Sequence, residues 1–179
     1  MTILISGGPG SGCTTVATKV GVELAIPCFD SDDYFHKPSD PPFQEQYSPE
    51  ERRTLLRNVL RGQTNWIIGG SISNWGLEEL KATHGVFLNV PEQDRIGRLI
   101  IRQKENFGRR IEIGGDMFEE HKAFIDWASG YEGRTGVGRN QSHDKLFLQS
   151  RSERFISVDG STEISAVLKR VMGFISSAK

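Results

Sequence analysis

The chain has 179 residues, with 22 Lys and Arg against 23 Asp and Glu and a formal net charge of −1. That length suffices for one domain over residues 1–179 with a real core, and the near-neutral balance gives no general attraction to nucleic acid or anionic membrane. No apolar run is long enough to span a bilayer, and the start lacks the basic segment, apolar core and cleavage site of a signal peptide. The expected location is the cytoplasm, as a monomer or homodimer. Two cysteines, Cys13 and Cys28, make neither a disulfide framework nor a zinc site and are expected to be free thiols.

Thr2 to Ser6 reads as a short buried strand, rich in Ile and Leu, and the glycines after it predict a loop opening a helix at Thr14. The spacing Gly7, four residues, Gly12, Cys13, Thr14 resembles the Walker A P-loop in every element except one. Cys13 stands where that family has lysine. In such a loop glycines let successive backbone N–H groups point into one concavity, and the helix adds its unsatisfied N–H groups and positive dipole end. The backbone of Gly7, Gly8, Pro9, Gly10, Ser11, Gly12, Cys13, Thr14 and Thr15 is therefore the expected cradle for the phosphates of ATP. Thr14 supplies the hydroxyl that such loops place on Mg2+, and Thr15 adds a second hydrogen bond to phosphate. What is missing is the cation on the β and γ phosphates. A charge pair at contact is worth about 4 kcal/mol at an effective dielectric of 20, so leaving it unreplaced costs on the order of a thousandfold in rate. Either another cation fills in, or the chain binds nucleotide without turning it over well. Cys13, at a helix N-terminus, is expected to have a somewhat lowered pKa.

Thr14 to Leu24 has the apolar spacing of a helix packed on a sheet, and Ile26 to Phe29 reads as a second strand. The alternation points to a three-layer α/β fold, a five-stranded parallel sheet with helices on both faces. Such sheets bind ligands at the carboxyl ends of their strands, which is where FDSDDYFHKP begins. FDSD resembles the Asp-Ser-Asp of shikimate kinases, and DDYFHKP is similar to a motif of nicotinamide riboside kinases and, more loosely, of uridine kinases. Both resemblances imply that Asp32 meets the acceptor hydroxyl; the first also implies that Asp30 helps hold Mg2+, and Asp33 belongs to the same acceptor-binding segment. Chemically, a carboxylate near an alcohol orients it and accepts its proton as the phosphoryl group moves. An Asp-rich turn that merely solvates a loop is the competing reading.

Pro38 to Tyr47 is proline-rich and expected to be irregular, whereas Ser48, Pro49 and Glu51 form a capping signature. The helix they start has an apolar face of Leu55, Leu56, Val59 and Leu60, and its arginines read as a solvated face. Residues 30–62 together would form the acceptor-binding segment. Asn65 to Ile68 is the expected third strand. Gly69 and Gly70 after it, with Ser71, resemble the glycine run where shikimate kinases bring bare backbone to the substrate. Gly69 also stands where a Walker B Asp is usual, which leaves the metal duty to Asp30. Trp75 reads as a packing anchor or the floor of an acceptor pocket.

Gly85 to Val90 is a fourth strand, and Pro91 opens a helix on which Arg95, Arg98 and Arg102 share one stripe. This is similar to adenylate kinases, which implies adenine stacking for Arg98 and a phosphate contact for Arg102, with Arg95 less certain. Asn106 to Asp116 is the candidate small lid, hinged by glycines, with Arg109 and Arg110 the leading replacements for the absent lysine, then Lys37 and Arg139. Met117, His121, Phe124 and Ala128 mark a helix face, and Gly130 to Asn140 reads as flexible loop. Arg154 to Val158 is the last strand, and Asp159 to Ser161 resembles the turn that contacts adenine in nucleoside monophosphate kinases. The sequence thus resembles P-loop small-molecule kinases, which implies phosphoryl transfer from ATP with Mg2+ to a nucleoside, nucleotide or polyol-like acceptor. A nucleotide-binding sensor with little turnover, or an ATPase, are the alternatives that Cys13 keeps open.

Overall fold

In a computed structural model, which describes residues 1–136 and 138–177, five parallel strands form one sheet. They are β1 (Thr2–Gly7), β2 (Cys28–Asp30), β3 (Trp66–Gly69), β4 (Ala82–Asn89) and β5 (Ser152–Asp159). Their order in the sheet is β2-β3-β1-β4-β5, with every neighbouring pair parallel. The helices are α1 (Cys13–Leu24), the short α2 (Asp32–Phe35), α3 (Pro49–Leu60), α4 (Glu92–Phe107), α5 (Phe118–Ser129), α6 (Gln141–Arg151) and α7 (Ile164–Ser176). A turn of 3-10 helix, Gly108–Ile111, follows α4.

The continuous apolar run of β1 is explained by burial on both faces. Ile3 and Ile5 pack with Val16 and Val20 of α1 and with Val167 and Val171 of α7. Leu4 faces the other layer, with Leu56 of α3 and Leu148 of α6. The expected three-layer α/β architecture is therefore what the chain adopts. Ser48 starts α3 with a complete capping box, its Oγ accepting from the Glu51 N–H while its own N–H donates to the Glu51 carboxylate at 2.7 Å.

Strand β4 begins at Ala82, earlier than the pattern suggests. Thr83 and Thr2 exchange backbone-to-hydroxyl hydrogen bonds of 3.0 and 2.9 Å, continuing the pairing beyond the apolar run. Two helices have no counterpart in the apolar pattern, α2 and α6. The second is capped by Asn140, whose side chain accepts from the His143 N–H at 2.9 Å. Gly130 to Asn140, read as flexible, carries the buried Tyr131 and Asn140, and Val137 within it lies outside the described residues.

Register brings the strand ends level. Ile5 pairs with Gly69, Asp30 pairs with Gly69 and Gly7 pairs with Leu88. The Gly70 N–H then donates to the Ile5 carbonyl at 2.9 Å and the Ser31 N–H to the Gly69 carbonyl at 2.8 Å. The segments leaving β1, β2 and β3 are thereby gathered at one edge of the sheet. Gly69 itself packs against α1, since a Cβ there would sit 2.8 Å from the Ala17 Cβ. Gly69→Ala is expected to lower stability by about 1–3 kcal/mol by levering α1 off β3. An unchanged denaturation midpoint would show that α1 is free to shift.

Candidate functional site

At that edge lies a cavity of about 550 Å3, lined by residues 8–15, by Asp30, Ser31 and Asp32 after β2, and by Gly70 and Ser71 after β3. Phe35, His36, Arg52 and Trp75 line one side, and Arg98 and Arg102 of α4 with Phe124 and Trp127 of α5 line another. A second cavity, of about 440 Å3, runs from Ser11, Gly12 and Thr15 past Lys19 to Gly160, Ser161 and Thr162. Arg98 borders both and donates from Nη2 to the Gly160 carbonyl at 3.0 Å.

The loop after β1 takes its shape from Gly10 and Gly12, with φ of +83° and +88°, a conformation that L side chains rarely adopt. Helix α1 starts at Cys13 with no side-chain cap. The Val16 N–H reaches the Gly12 carbonyl at 3.0 Å, so the amides of Cys13, Thr14 and Thr15 have no acceptor within the helix. Two loop carbonyls are taken from outside. Arg139 donates from Nη2 to the Gly7 carbonyl, and Arg95 from Nη1 to the Pro9 carbonyl, both at 2.8 Å.

Arg95 is 1% exposed, and its guanidinium is spent on Pro9, the Ala128 carbonyl and a paired contact with Glu132. It supports the loop from outside the cavity rather than facing a ligand. Arg139 is held by the buried Asp144, whose Oδ2 accepts from Arg139 Nε at 3.4 Å and from the Tyr131 hydroxyl at 2.8 Å. Burial and Asp144 together push the Tyr131 phenol well above its ordinary range. The other oxygen of Asp144 accepts from the hydroxyls of Ser71 and Ser73 at 2.6 Å each.

Cys13 is 7% exposed, with Sγ 3.1 Å from the Ser11 hydroxyl. Burial pushes its thiol up to about 11, outweighing the Ser11 hydrogen bond. This corrects the expected lowering: the thiol borders the cavity but packs with Val16, Ala17 and Ile67, where little water reaches it to solvate a thiolate.

At the far end, Asp30 and Asp32 line the cavity together, and Asp30 Oδ1 accepts the Asp32 N–H at 3.0 Å. Asp32 is open to the cleft yet crowded by protein. That crowding, and then Asp30, raise its carboxyl above the usual range, while Arg139, His36 and Arg102 act in the opposite sense. Burial lowers the neighbouring His36 imidazole, with Asp32 opposing. Arg52 lies over the Phe35 ring, 3.6 Å from its centroid, and donates from Nε to the Tyr47 carbonyl at 2.7 Å. This arginine, read from the sequence as solvated, lines the cavity; only the tertiary stack with Phe35 reveals it.

Of the other sequence candidates, Gly7, Asp33, Gly69, Arg109 and Arg110 are not among the residues lining either cavity. Gly70, with φ of +104°, abuts Ser31. Arg110 pairs with Asp116 at 2.7 Å and Asp40 at 3.3 Å, tying the 3-10 turn to the segment before α3. Lys37 pairs with Glu51. Among the described residues no cluster of three or more His, Cys, Asp or Glu side chains is placed to hold a metal ion. Thr14 and Asp30, which share the cavity, suit Mg2+, an ion that keeps several waters and takes the rest of its shell from one or two carboxylates and substrate phosphates.

A thiol raised to about 11 stays protonated through neutral pH and ionises only as pH climbs toward that value. Burial also raises the Cys28 thiol, but Cys28 is the more accessible of the two, so at about pH 8 iodoacetamide is expected to label it before Cys13. Faster loss of Cys13, read by peptide mass, would contradict its burial.

No protein-family model matches the chain. It is 27% identical over 177 residues to the uncharacterized protein YqaC of Bacillus subtilis (strain 168), covering 98% of this chain and 97% of that one. Among solved structures it is similar to a shikimate kinase from Bacteroides thetaiotaomicron (TM-score 0.53, 19% identity, 99% of both chains). It is also similar to a deoxyadenosine kinase from M. mycoides with bound dATP, with a TM-score of 0.61, 13% identity and 99% and 100% of the two chains covered. With the strand order and loop geometry above, these likenesses show that the chain has the three-layer α/β fold of P-loop small-molecule kinases.

Proposed function

We propose that the chain transfers the γ-phosphoryl group of ATP to a hydroxyl or phosphate oxygen of a small molecule. The observation that carries this reading is one cavity holding both the uncapped amides at the start of α1 and the carboxylate of Asp32. The first suits a polyphosphate, because amides and the helix dipole converge on it. The second suits an acceptor. With both ligands in that one cavity, the reaction is a displacement in which the acceptor oxygen bonds to the γ phosphorus and the bond from that phosphorus to the bridging oxygen breaks. ADP leaves, and the acceptor proton passes to Asp32 and on to solvent.

The residues divide the work. The N–H groups of Gly10 and of Gly12 to Thr15 bind phosphate, since Pro9 has none to give and that of Ser11 donates to the Gly8 carbonyl at 3.0 Å, and the Thr15 hydroxyl adds a side-chain donor. Thr14 and Asp30 would hold Mg2+, which neutralises phosphate charge when bound. Asp32 orients the acceptor, and the raised carboxyl makes it a better proton acceptor than an ordinary aspartate. Arg102 faces the phosphates and Arg98 the base, in the second cavity beside Gly160. Arg52, Phe35 and Trp75 line the acceptor end. Catalysis of this kind is positioning and electrostatics.

A sensor that binds nucleotide without transfer is the second reading, favoured by Cys13 in lysine's position and by Gly69 in place of a Walker B Asp. Mixing Mg-ATP with pools of nucleosides, nucleotides and polyols separates the readings. Acceptor-dependent ADP release is expected; binding without release would favour the sensor, and release without acceptor an ATPase. Asp32→Asn is expected to cut transfer by about a hundredfold or more while leaving Mg-ATP affinity within about twofold. Because it relieves crowding against Asp30, that variant is also expected to melt no lower than wild type. Equal turnover in Asp32→Asn would remove this residue from the reaction.

A further inference from the structure

The transfer reading leaves one task unassigned, the cation that the loop lacks at Cys13. Of the replacements read from the sequence, Lys37 pairs with Glu51, Arg110 pairs with Asp40 and Asp116, and Arg109 lines neither cavity. Arg139 differs in kind. It reaches across the fold to the Gly7 carbonyl, the first of the loop, and lines the cavity together with Cys13, Thr14 and Asp32.

We propose that the Arg139 guanidinium occupies the seat of the missing lysine, and that residue 13 is small because a second cation cannot share it. Two contacts and one close approach converge there. Cys13 Sγ touches the Ser11 hydroxyl at 3.1 Å. That hydroxyl lies 2.6 Å from where a Cβ on Gly7 would stand. The Gly7 carbonyl takes Arg139 Nη2 at 2.8 Å. Arg139 Nε is fixed by Asp144, and Nη1 has no hydrogen-bond partner among the described residues, which leaves it for a phosphate oxygen. Arg139 is also close enough to Cys13 and Asp32 to favour the ionised form of each. A guanidinium so placed reaches both the phosphate end and the acceptor end of the cavity. Its planar fork matches phosphate oxygens as an ammonium does not.

Asp144 is the positioning residue. Its buried carboxylate binds Ser71 and Ser73 on one oxygen and Tyr131 and Arg139 on the other, so the arginine is fixed before any ligand arrives. This inference rests on the proposed phosphate site, and its test separates the two.

The test is a charge-relocation cycle of wild type, Arg139→Gln, Cys13→Lys and the double variant. Mg-ATP affinity is measured by calorimetry, and melting temperature is measured without nucleotide. Arg139→Gln is expected to weaken Mg-ATP by about tenfold or more. Cys13→Lys alone is expected to lower the melting temperature and to leave affinity no tighter, because the introduced ammonium meets the guanidinium. With Arg139→Gln present, Cys13→Lys is expected to recover most of the lost affinity without the melting penalty. Arg139→Gln strands Asp144, so the cycle is repeated on an Asp144→Asn background, where the buried charge is gone. Unchanged affinity in Arg139→Gln would overturn the assignment. So would equal tightening by Cys13→Lys with and without Arg139. A wild type that fails to bind Mg-ATP overturns the kinase reading, and the melting cycle then still judges the seat. Additive shifts overturn it, and a penalty confined to chains retaining Arg139 supports it.

Discussion

Two peptide carbonyls, those of Gly7 and Pro9, are each occupied by an arginine that an acidic residue holds in place. A loop that turns its N–H groups into one concavity turns carbonyls out of it, and a buried carbonyl without a donor costs about 1–3 kcal/mol. Arg139 and Arg95 supply those donors. Tyr131 serves both, its ring centroid 5.3 Å from the Arg95 guanidinium carbon and 5.9 Å from that of Arg139. The segment between α5 and α6 is therefore the back wall of the loop, and the loop's shape is set as much by these residues as by its own glycines.

Arg95 has a further consequence along its own helix. A guanidinium buried to 1% exposure carries a desolvation cost that only its full set of partners offsets, so α4 is fixed in rotation about its axis. Arg98 and Arg102 lie three and seven residues on, near the same face, and both line the main cavity. A structural arginine thus aims two others at the site. Asp144 plays the matching part on the other side, because it binds both Arg139 and the hydroxyls of Ser71 and Ser73. One buried carboxylate ties the segment after β3 to the loop after β1.

The elements that local chemistry dictates were legible in the sequence. The glycine loop, the Ser48 capping box, the strands buried on both faces and the pairing of Asp30 with Asp32 all follow from residues near one another in the chain. What escaped is nonlocal. Helix α6 buries only Asp144 and Leu148 and leaves Leu146 63% exposed, so its inner face carries a charge and its outer face an apolar residue, the reverse of the usual signal. Arg139 could be named as a candidate cation but not ranked above Arg109 and Arg110, since its reach to Gly7 spans 132 positions of sequence. Gly69 was legible as a bare position, though the space it leaves is filled by Ala17. The stripe of Arg95, Arg98 and Arg102 lies on one helix, with Arg95 buried and the other two lining the main cavity. Its members divide between loop support and cavity lining because only the first meets Glu132.

Moving a cation from the start of α1 to the approach to α6 changes what it delivers. A lone ammonium at contact with a phosphate gains about 4 kcal/mol at an effective dielectric of 20. A guanidinium backed by a carboxylate loses part of that to the acid's repulsion, which at about 8 Å is about 2 kcal/mol. The pair therefore acts as an oriented dipole worth about half of the free charge. In exchange the arginine is already fixed, so it gives up less side-chain freedom when phosphate binds than a flexible lysine does. The thiol at residue 13 completes the exchange. Being small and uncharged, it leaves room for Arg139, and its burial among Val16, Ala17 and Ile67 ties the first turn of α1 to the sheet.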